Sequence, residues 1–130
     1  MTNIIGHLTN NVSLMTRGAM IMLEPLLGSI SAERVLIFIL AREEGYARDI
    51  ARFFKADLYA IQKQLNKLET GGVLASRLAG RTRLYTLNPR YPFLKELKEL
   101  LIKALSFYPE EEQEQLTMNR RRPRGRGKTL

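Results

Sequence analysis

The chain has 130 residues and no cysteine, which fits one small domain with tails and excludes disulfides, zinc fingers and iron–sulfur clusters. Its composition, 45% hydrophobic and 26% charged, is typical of globular proteins. No apolar run approaches the roughly 18 residues of a membrane span, and the N-terminus lacks the pattern of a secretory signal. We therefore expect a cytoplasmic protein that binds no membrane. Lys and Arg number 21 and Asp and Glu 13, so the net charge of +8 favours a polyanionic partner.

The first 27 residues predict an N-terminal helical segment. Apolar side chains recur there at alternating spacings of three and four, the pattern of a helix with one apolar face. We predict a helix from about Asn11 to Leu27, with Pro25 near its end and Gly28 closing it. The only histidine, His7, has no neighbouring ligand set and favours a surface or packing role over a metal or catalytic one.

Residues 28–90 predict the central domain. Ser31 is a suitable N-cap for a helix that is apolar nearly all round, and Gly45 can supply a left-handed C-cap. A short helix over 48–54 follows, and Asp57 can cap a third helix that ends near Thr70.

Alternating apolar and polar residues predict two strands, 73–78 and 82–87, joined as a hairpin by a turn at 79–81. Residues 91–108 predict an amphipathic helix that Pro109 ends. Residues 109–130, acidic and then rich in Arg and Gly, lack the apolar residues for a core and predict a disordered tail.

This element order predicts a mainly α protein with a small β-hairpin, an α+β winged helix-turn-helix with flanking amphipathic helices. The third helix of such a domain enters the DNA major groove, and the hairpin, or wing, lies on the backbone or in an adjacent groove. Much of the positive charge lies in the part of the chain that holds this third helix and the hairpin. Residues 55–90 hold seven basic and two acidic side chains, a net charge of +5.

The residues themselves also resemble a family. The stretch 50–74 contains Ile-Ala-Arg, the cap residue Asp57, the run Ile-Gln-Lys-Gln-Leu at 61–65 and Leu-Glu-Thr-Gly-Gly at 68–72. It resembles the helix-turn-helix of ArsR-type transcriptional regulators. Gly80 in the hairpin, Asn88-Pro89 and Pro92 resemble the ArsR-like subgroup found beside or fused to nucleotidyltransferase domains. The resemblance covers about 27–105 and implies a DNA-binding regulator.

Three departures from the family pattern are visible, and one is Phe53, which stands at a normally polar position where the N-terminal segment can cover it. Lys55 stands where such turns usually carry Gly, so either Lys55 adopts a left-handed conformation at about 1 kcal/mol or the turn differs. Leu78 and Ala79 replace charged residues of the wing. The cysteine ligands of the metal-sensing members are missing, so we expect neither a metal site nor a cofactor.

The residues expected to contact double-stranded DNA follow from the helical period and the hairpin. Gln and Asn can bond adenine, Lys can reach guanine or phosphate, and Arg suits phosphate or the minor groove. On the outward face of the third helix we predict Leu58, Tyr59, Gln62, Lys63, Asn66 and Lys67, and on the wing Arg77, Arg81 and Arg83. Accessory nucleic-acid contacts are predicted for Arg120, Arg121, Arg122, Arg124 and Arg126, with a mobile solubilising tail as the open alternative.

A homodimer is expected, because a winged domain of fewer than 80 residues has a small core and carries two additional amphipathic helices. The open alternative is that both helices fold back on their own domain. The candidate interface residues are Val12, Met15, Ala19, Met22, Leu97, Leu101 and Ala104.

A repressor that occludes a promoter is the simplest mechanism. The alternative function is a winged-helix protein-interaction module acting with a partner enzyme, for example a nucleotidyltransferase. An enzyme is not expected, since no nucleophile–base set, phosphate loop or metal cluster is recognisable.

Overall fold

A computed structural model describes residues 22–117 of the chain, and these residues form a winged helix-turn-helix. Three short strands make one antiparallel sheet of order β1-β3-β2 beside a larger helical part. The predicted α+β winged-helix fold is thus confirmed. The elements are α1 (Glu24–Leu27), α2 (Ile30–Arg42), β1 (Gly45–Tyr46), α3 (Ala47–Phe54), α4 (Leu58–Thr70), β2 (Leu74–Ala79), β3 (Thr82–Leu87), α5 (Leu94–Leu105) and the helical residues 110–117, α6.

Helix α2 is the centre of the core. The apolar run from Val35 to Ile39 is at most 1% exposed, because α2 packs against α1, α3, α4, α5 and the sheet. Each fully buried side chain of this size contributes about 1.5–3 kcal/mol relative to an exposed one. A helix covered on all sides needs apolar residues all round, which is why the sequence predicted it so clearly.

The N-terminal boundaries differ from the prediction. Pro25 lies in the first turn of α1 and not near the end of a long helix, since Leu23 is the N-cap. Proline lacks an N–H and fits the first helical turn, where that group has no partner. Gly28 closes α1 in a left-handed conformation (φ 84°), as predicted. Ser29, not Ser31, caps α2, and its Oγ accepts a 3.1 Å hydrogen bond from the backbone N–H of Ala32.

The end of α2 also differs. Glu43 is the left-handed C-cap (φ 75°), and Gly45 lies in β1, paired with Tyr85. A Cβ on Gly45 would lie 3.0 Å from the ring of Phe38, so glycine is needed here for space and not for its left-handed freedom. The sequence did not predict β1, because a strand of two residues shows no alternation.

The helix-turn-helix keeps its turn without glycine. Lys55 adopts the left-handed conformation (φ 54°, ψ 47°), and the N–H of Ala56 donates a 2.8 Å hydrogen bond to the carbonyl of Ala51. The first of the two alternatives for this turn is therefore correct. A non-glycine residue in this conformation is strained by about 1 kcal/mol.

Disorder was wrongly predicted for residues 110–117. Leu116 is fully buried in the core, and the Arg42 side chain donates to the carbonyls of Leu116 (Nε, 3.1 Å) and Gln115 (Nη2, 3.4 Å). The guanidinium also lies 4.5 Å from the ring centroid of Phe38. One apolar residue gives no periodic signal, so this helix is defined by its tertiary contacts. The predicted tail residues 118–130 lie outside the described part of the chain, as do residues 1–21.

Glu33 joins the segment before α1 to the segment after α5. Its side chain is 1% exposed and accepts hydrogen bonds from the backbone N–H groups of Leu23 (2.8 Å) and Met22 (3.2 Å) and from the Tyr108 hydroxyl (3.0 Å). These donors satisfy a buried carboxylate. Among residues 22–117, no helix is long and apolar enough to cross a bilayer.

Candidate nucleic-acid interface

Helix α4 presents a polar face to solvent. The Asp57 side chain caps it by accepting a 3.1 Å hydrogen bond from the N–H of Ala60, as predicted. Ile61 and Leu65 are fully buried. Tyr59 is 69% exposed, and the other exposed predicted contacts on this helix are Gln62, Lys63, Asn66 and Lys67.

Leu58 does not belong to this outward face. Its side chain is half-buried and packs against the core. It lies three residues before Ile61 and seven before Leu65, so it shares their stripe on the helix. Its half-buried side chain still reaches the surface, so the contact of Leu58 with DNA stays a prediction.

A groove of about 420 Å³ lies between α4 and the β2–β3 hairpin. Gln62 and Asn66 line it on the helix side, and Arg81 and Arg83 line it on the hairpin side. Two side chains of the helix and two of the hairpin, which are distant from each other in sequence, thus face the same space. Amide and guanidinium groups together can bond base edges and phosphate oxygens.

Arg83 is tied to α4 by two hydrogen bonds. Its Nη1 donates to Ser76 Oγ at 3.0 Å, and the Ser76 hydroxyl donates to Glu69 Oε2 at 2.6 Å. Burial, and then the nearby Glu69, raise the pKa of Tyr85 beside the same groove, while Arg83 lowers it. The Tyr85 hydroxyl therefore keeps its proton at neutral pH.

Four other predicted contacts, Tyr59, Lys63, Lys67 and Arg77, lie outside the groove lining. Arg77 is exposed, and its Nη2 lies 3.9 Å from Glu44 Oε1. This acid partly neutralises Arg77, although an ion pair so exposed is weak. Lys63 and Lys67 are exposed on α4 but do not line the groove.

Arg48 is a groove residue that the sequence analysis missed. It lies in the first turn of α3, is exposed, and lines the groove together with Gln62 and Arg83. With Arg52 and Lys55 it also lines an adjoining hollow of about 440 Å³. Arg48 and Arg52 are four residues apart and lie on one face of α3, and Lys55 is the C-cap of the same helix. The sequence signal for Arg48 is its spacing of four from Arg52, which is weaker than the apolar pattern of the same short helix.

The dimer candidates on α5 are mostly buried within the chain. Leu101 is 0% and Ala104 4% exposed, because both belong to the core that α5 forms with α2. Their assignment to an interface is therefore wrong, and the alternative, folding back on the same domain, holds for this face of α5. Leu97 and Met22 are half-buried. The remaining candidates, Val12, Met15 and Ala19, lie outside the described residues.

Other apolar side chains of this region are exposed. They are Phe93 (62%), Leu100 (38%), Ile102 (57%) and Phe107 (48%), on α5 or at its ends. Residues 22–117 contain no group of three or more acidic or histidine side chains that could hold a metal ion.

Comparison with known proteins finds similar solved structures, of which two are described here. No family model and no curated protein matches the chain. A mutant of Lactococcus lactis ZitR in apo form is 22% identical with a TM-score of 0.48, over 91% of this chain and 87% of that one. A second structure of the ZitR mutant is 23% identical with a TM-score of 0.43, over 68% of each chain. Membership of the ArsR-like family stays a prediction.

Proposed function

We propose that this chain is a cytoplasmic transcriptional regulator that binds double-stranded DNA in a sequence-specific manner. In this proposal α4 enters the major groove, and the β2–β3 hairpin lies on the backbone or in the minor groove. The observation that carries the proposal is the groove in which Gln62 and Asn66 face Arg81 and Arg83. Base-reading amides and phosphate-binding cations stand on its opposite walls.

The chemistry of each wall fits a different part of a duplex. The side-chain amides of Gln62 and Asn66 can donate to and accept from adenine in the major groove. Arg81, Arg83 and Arg48 can each bind a phosphate through two parallel N–H groups, which is the geometry that guanidinium favours. The net charge of +5 on residues 55–90 adds sequence-independent attraction.

The active form in this proposal is a homodimer that represses by occluding a promoter. A twofold axis would place two copies of α4 about 34 Å apart, one turn of DNA. The exposed apolar residues Phe93, Leu100 and Phe107 support such an assembly. Phe93 is the N-cap of α5, Leu100 lies on the helix and Phe107 lies two residues past its end, and these three exposed residues are called the apolar edge.

The same apolar edge supports the second candidate function. A winged-helix interaction module would use Phe93, Leu100 and Phe107 to bind a partner enzyme and would need no DNA. Retention of duplex DNA by the purified chain distinguishes the two candidate functions, because only the regulator requires it.

Selection of bound fragments from random duplex DNA tests the proposal. We expect enrichment of one pseudo-palindromic sequence and tighter binding to it than to the starting pool. Equal affinity for the selected and the random DNA would remove sequence specificity. No retained DNA, together with capture of a protein partner, would favour the interaction module.

Sedimentation at micromolar concentration tests the dimer. We expect a dimer for the wild type and a monomer for the double variant Leu100→Glu, Phe107→Glu, which places charges in the apolar edge. Leu78→Glu is the matched control, because Leu78 is 63% exposed on the hairpin, away from α5. A monomeric wild type would overturn the dimer and leave DNA binding as a separate question.

A further inference from the structure

We propose that Glu69 and Ser76 are positioning residues that hold Arg83 over the groove, ready to bind a DNA phosphate. This inference rests on the proposed function and deepens it. It assigns roles to two residues that do not themselves line the groove, and it names the group that Arg83 binds: a phosphodiester oxygen of duplex DNA.

The geometry is a chain of two hydrogen bonds between elements. Glu69 lies in the last turn of α4, and Ser76 and Arg83 lie on β2 and β3. The Ser76 hydroxyl donates to Glu69 Oε2 at 2.6 Å and accepts from Arg83 Nη1 at 3.0 Å. Because Ser76 uses its proton toward the carboxylate, its oxygen is left to accept from the guanidinium. Glu69 thus fixes the direction of the bond to Arg83.

The hydrogen bond from Ser76 to Glu69 strengthens the hydrogen bond from Arg83 to Ser76. A hydroxyl that donates to a carboxylate forms a short charge-assisted bond and becomes a better acceptor itself. Ser76 and Glu69 are both half-buried, so water competes less for them than for a fully exposed pair. Arg83 is exposed, and only one of its five N–H groups is engaged with Ser76. The other donors remain available to a phosphate.

The two hydrogen bonds that link Glu69, Ser76 and Arg83, called the relay, hold the Arg83 side chain beside the two amides of α4. Arg83 lines the same groove as Gln62 and Asn66, and Ser76 is paired with Tyr85, the next groove residue on β3. Since Glu69 belongs to the helix that carries Gln62 and Asn66, the relay holds the Arg83 guanidinium in a fixed position relative to these two amides. Binding then orders little of Arg83, and ordering a long side chain otherwise weakens affinity by about 2- to 10-fold.

A double-mutant cycle tests the relay on the full chain. The probe is a mixed-sequence duplex of about three helical turns at low salt. We expect Ser76→Ala to weaken binding about 3- to 10-fold, and Arg83→Ala to weaken it at least as much. In the Arg83→Ala background, Ser76→Ala should have no further effect. Ser76→Thr, which keeps the hydroxyl, should restore wild-type binding, and Glu69→Gln should show an intermediate loss.

Two measurements separate positioning from folding. Ser106→Ala removes another hydrogen-bonded hydroxyl, which donates to the Lys103 carbonyl at 2.6 Å on α5, and should leave binding unchanged. NMR relaxation of the Arg83 side chain in the free protein should show greater mobility in Ser76→Ala than in the wild type. This second readout needs no DNA.

The outcomes are distinguishable. If Ser76→Ala weakens binding equally with and without Arg83→Ala, or leaves the mobility of Arg83 unchanged, the relay is wrong while DNA binding stands. If the wild type does not bind the duplex, the proposed function is wrong and the phosphate-binding role of Arg83 falls with it.

Discussion

The hydroxyl of Tyr108 donates a 3.0 Å hydrogen bond to the carboxylate of Glu33, which lies 75 residues earlier in the chain. The same carboxylate accepts from the backbone N–H groups of Met22 and Leu23. One buried acid thereby fixes the segment that enters α1 and the segment that leaves α5.

Removing this carboxylate should destabilise the fold strongly. Glu33→Ala leaves three donors without their acceptor, so we expect the free energy of unfolding to fall by about 3 kcal/mol. Tyr108→Phe keeps the ring and removes one bond, with an expected loss of about 1–2 kcal/mol. Urea denaturation measures both. Glu111→Ala, an exposed acid on α6, is the control, and an equal loss there would contradict the assignment.

Alkaline pH should destabilise the protein through Tyr108. Burial, and then the Glu33 carboxylate, raise the pKa of Tyr108 far above its ordinary value of 10.0. A folded-state pKa above the unfolded one gives stability that is fully present below about pH 10 and is lost as the pH rises further. The urea midpoint should therefore fall as the pH rises above about 10, and less steeply in Tyr108→Phe. Tyr85, whose pKa is also raised, accounts for a remaining decline.

The turn of the helix-turn-helix should be improved by glycine. Lys55 is held at φ 54° and ψ 47°, where a Cβ is strained. Lys55→Gly should raise the free energy of unfolding by about 0.5–1 kcal/mol, because glycine adopts this conformation without that strain. Lys55→Ala keeps the Cβ and should give no such gain. Thermal unfolding of the two variants side by side measures the difference, and equal stabilities would refute the strain.

At Gly45, replacement of glycine by a residue with a Cβ should destabilise the fold. A Cβ there would lie 3.0 Å from two ring atoms of Phe38 and 3.3 Å from Ile50 Cδ1. Gly45→Ala should lower the free energy of unfolding by about 1–3 kcal/mol, since the ring cannot move without disturbing a packed core. Gly71→Ala is the matched control, because its Cβ would meet no atom closer than 3.5 Å and its φ is −82°.

Two groove residues should separate specificity from affinity. Gln62→Ala removes a base-reading amide and should relax the sequence preference by about 1–3 kcal/mol at one base pair. Arg81→Ala should weaken binding to all sequences alike and reduce the slope of log K against log salt by about 1. Binding titrations over a series of salt concentrations, with selected and random duplexes, measure both. A preference unchanged by Gln62→Ala would remove that residue from base reading.

The sequence by itself determined the elements whose residues carry a local pattern. The apolar run of α2, the cap Asp57, the hairpin signal around Gly80 and the positive charge of 55–90 were sufficient for the winged helix-turn-helix and most of the polar face of α4. In each case the period, the cap or the turn chemistry acts within a few residues, so no tertiary information was needed.

Tertiary structure decided what depends on partners distant in sequence. It buried Leu101 in the core and packed Leu58 against it, brought Arg48 to the groove, and set Gly45 against Phe38. It also ordered residues 110–117 by burying Leu116 and capping the helix with Arg42. One buried side chain or one long-range hydrogen bond produces no periodicity, and its energy arises only when the other elements are already in place.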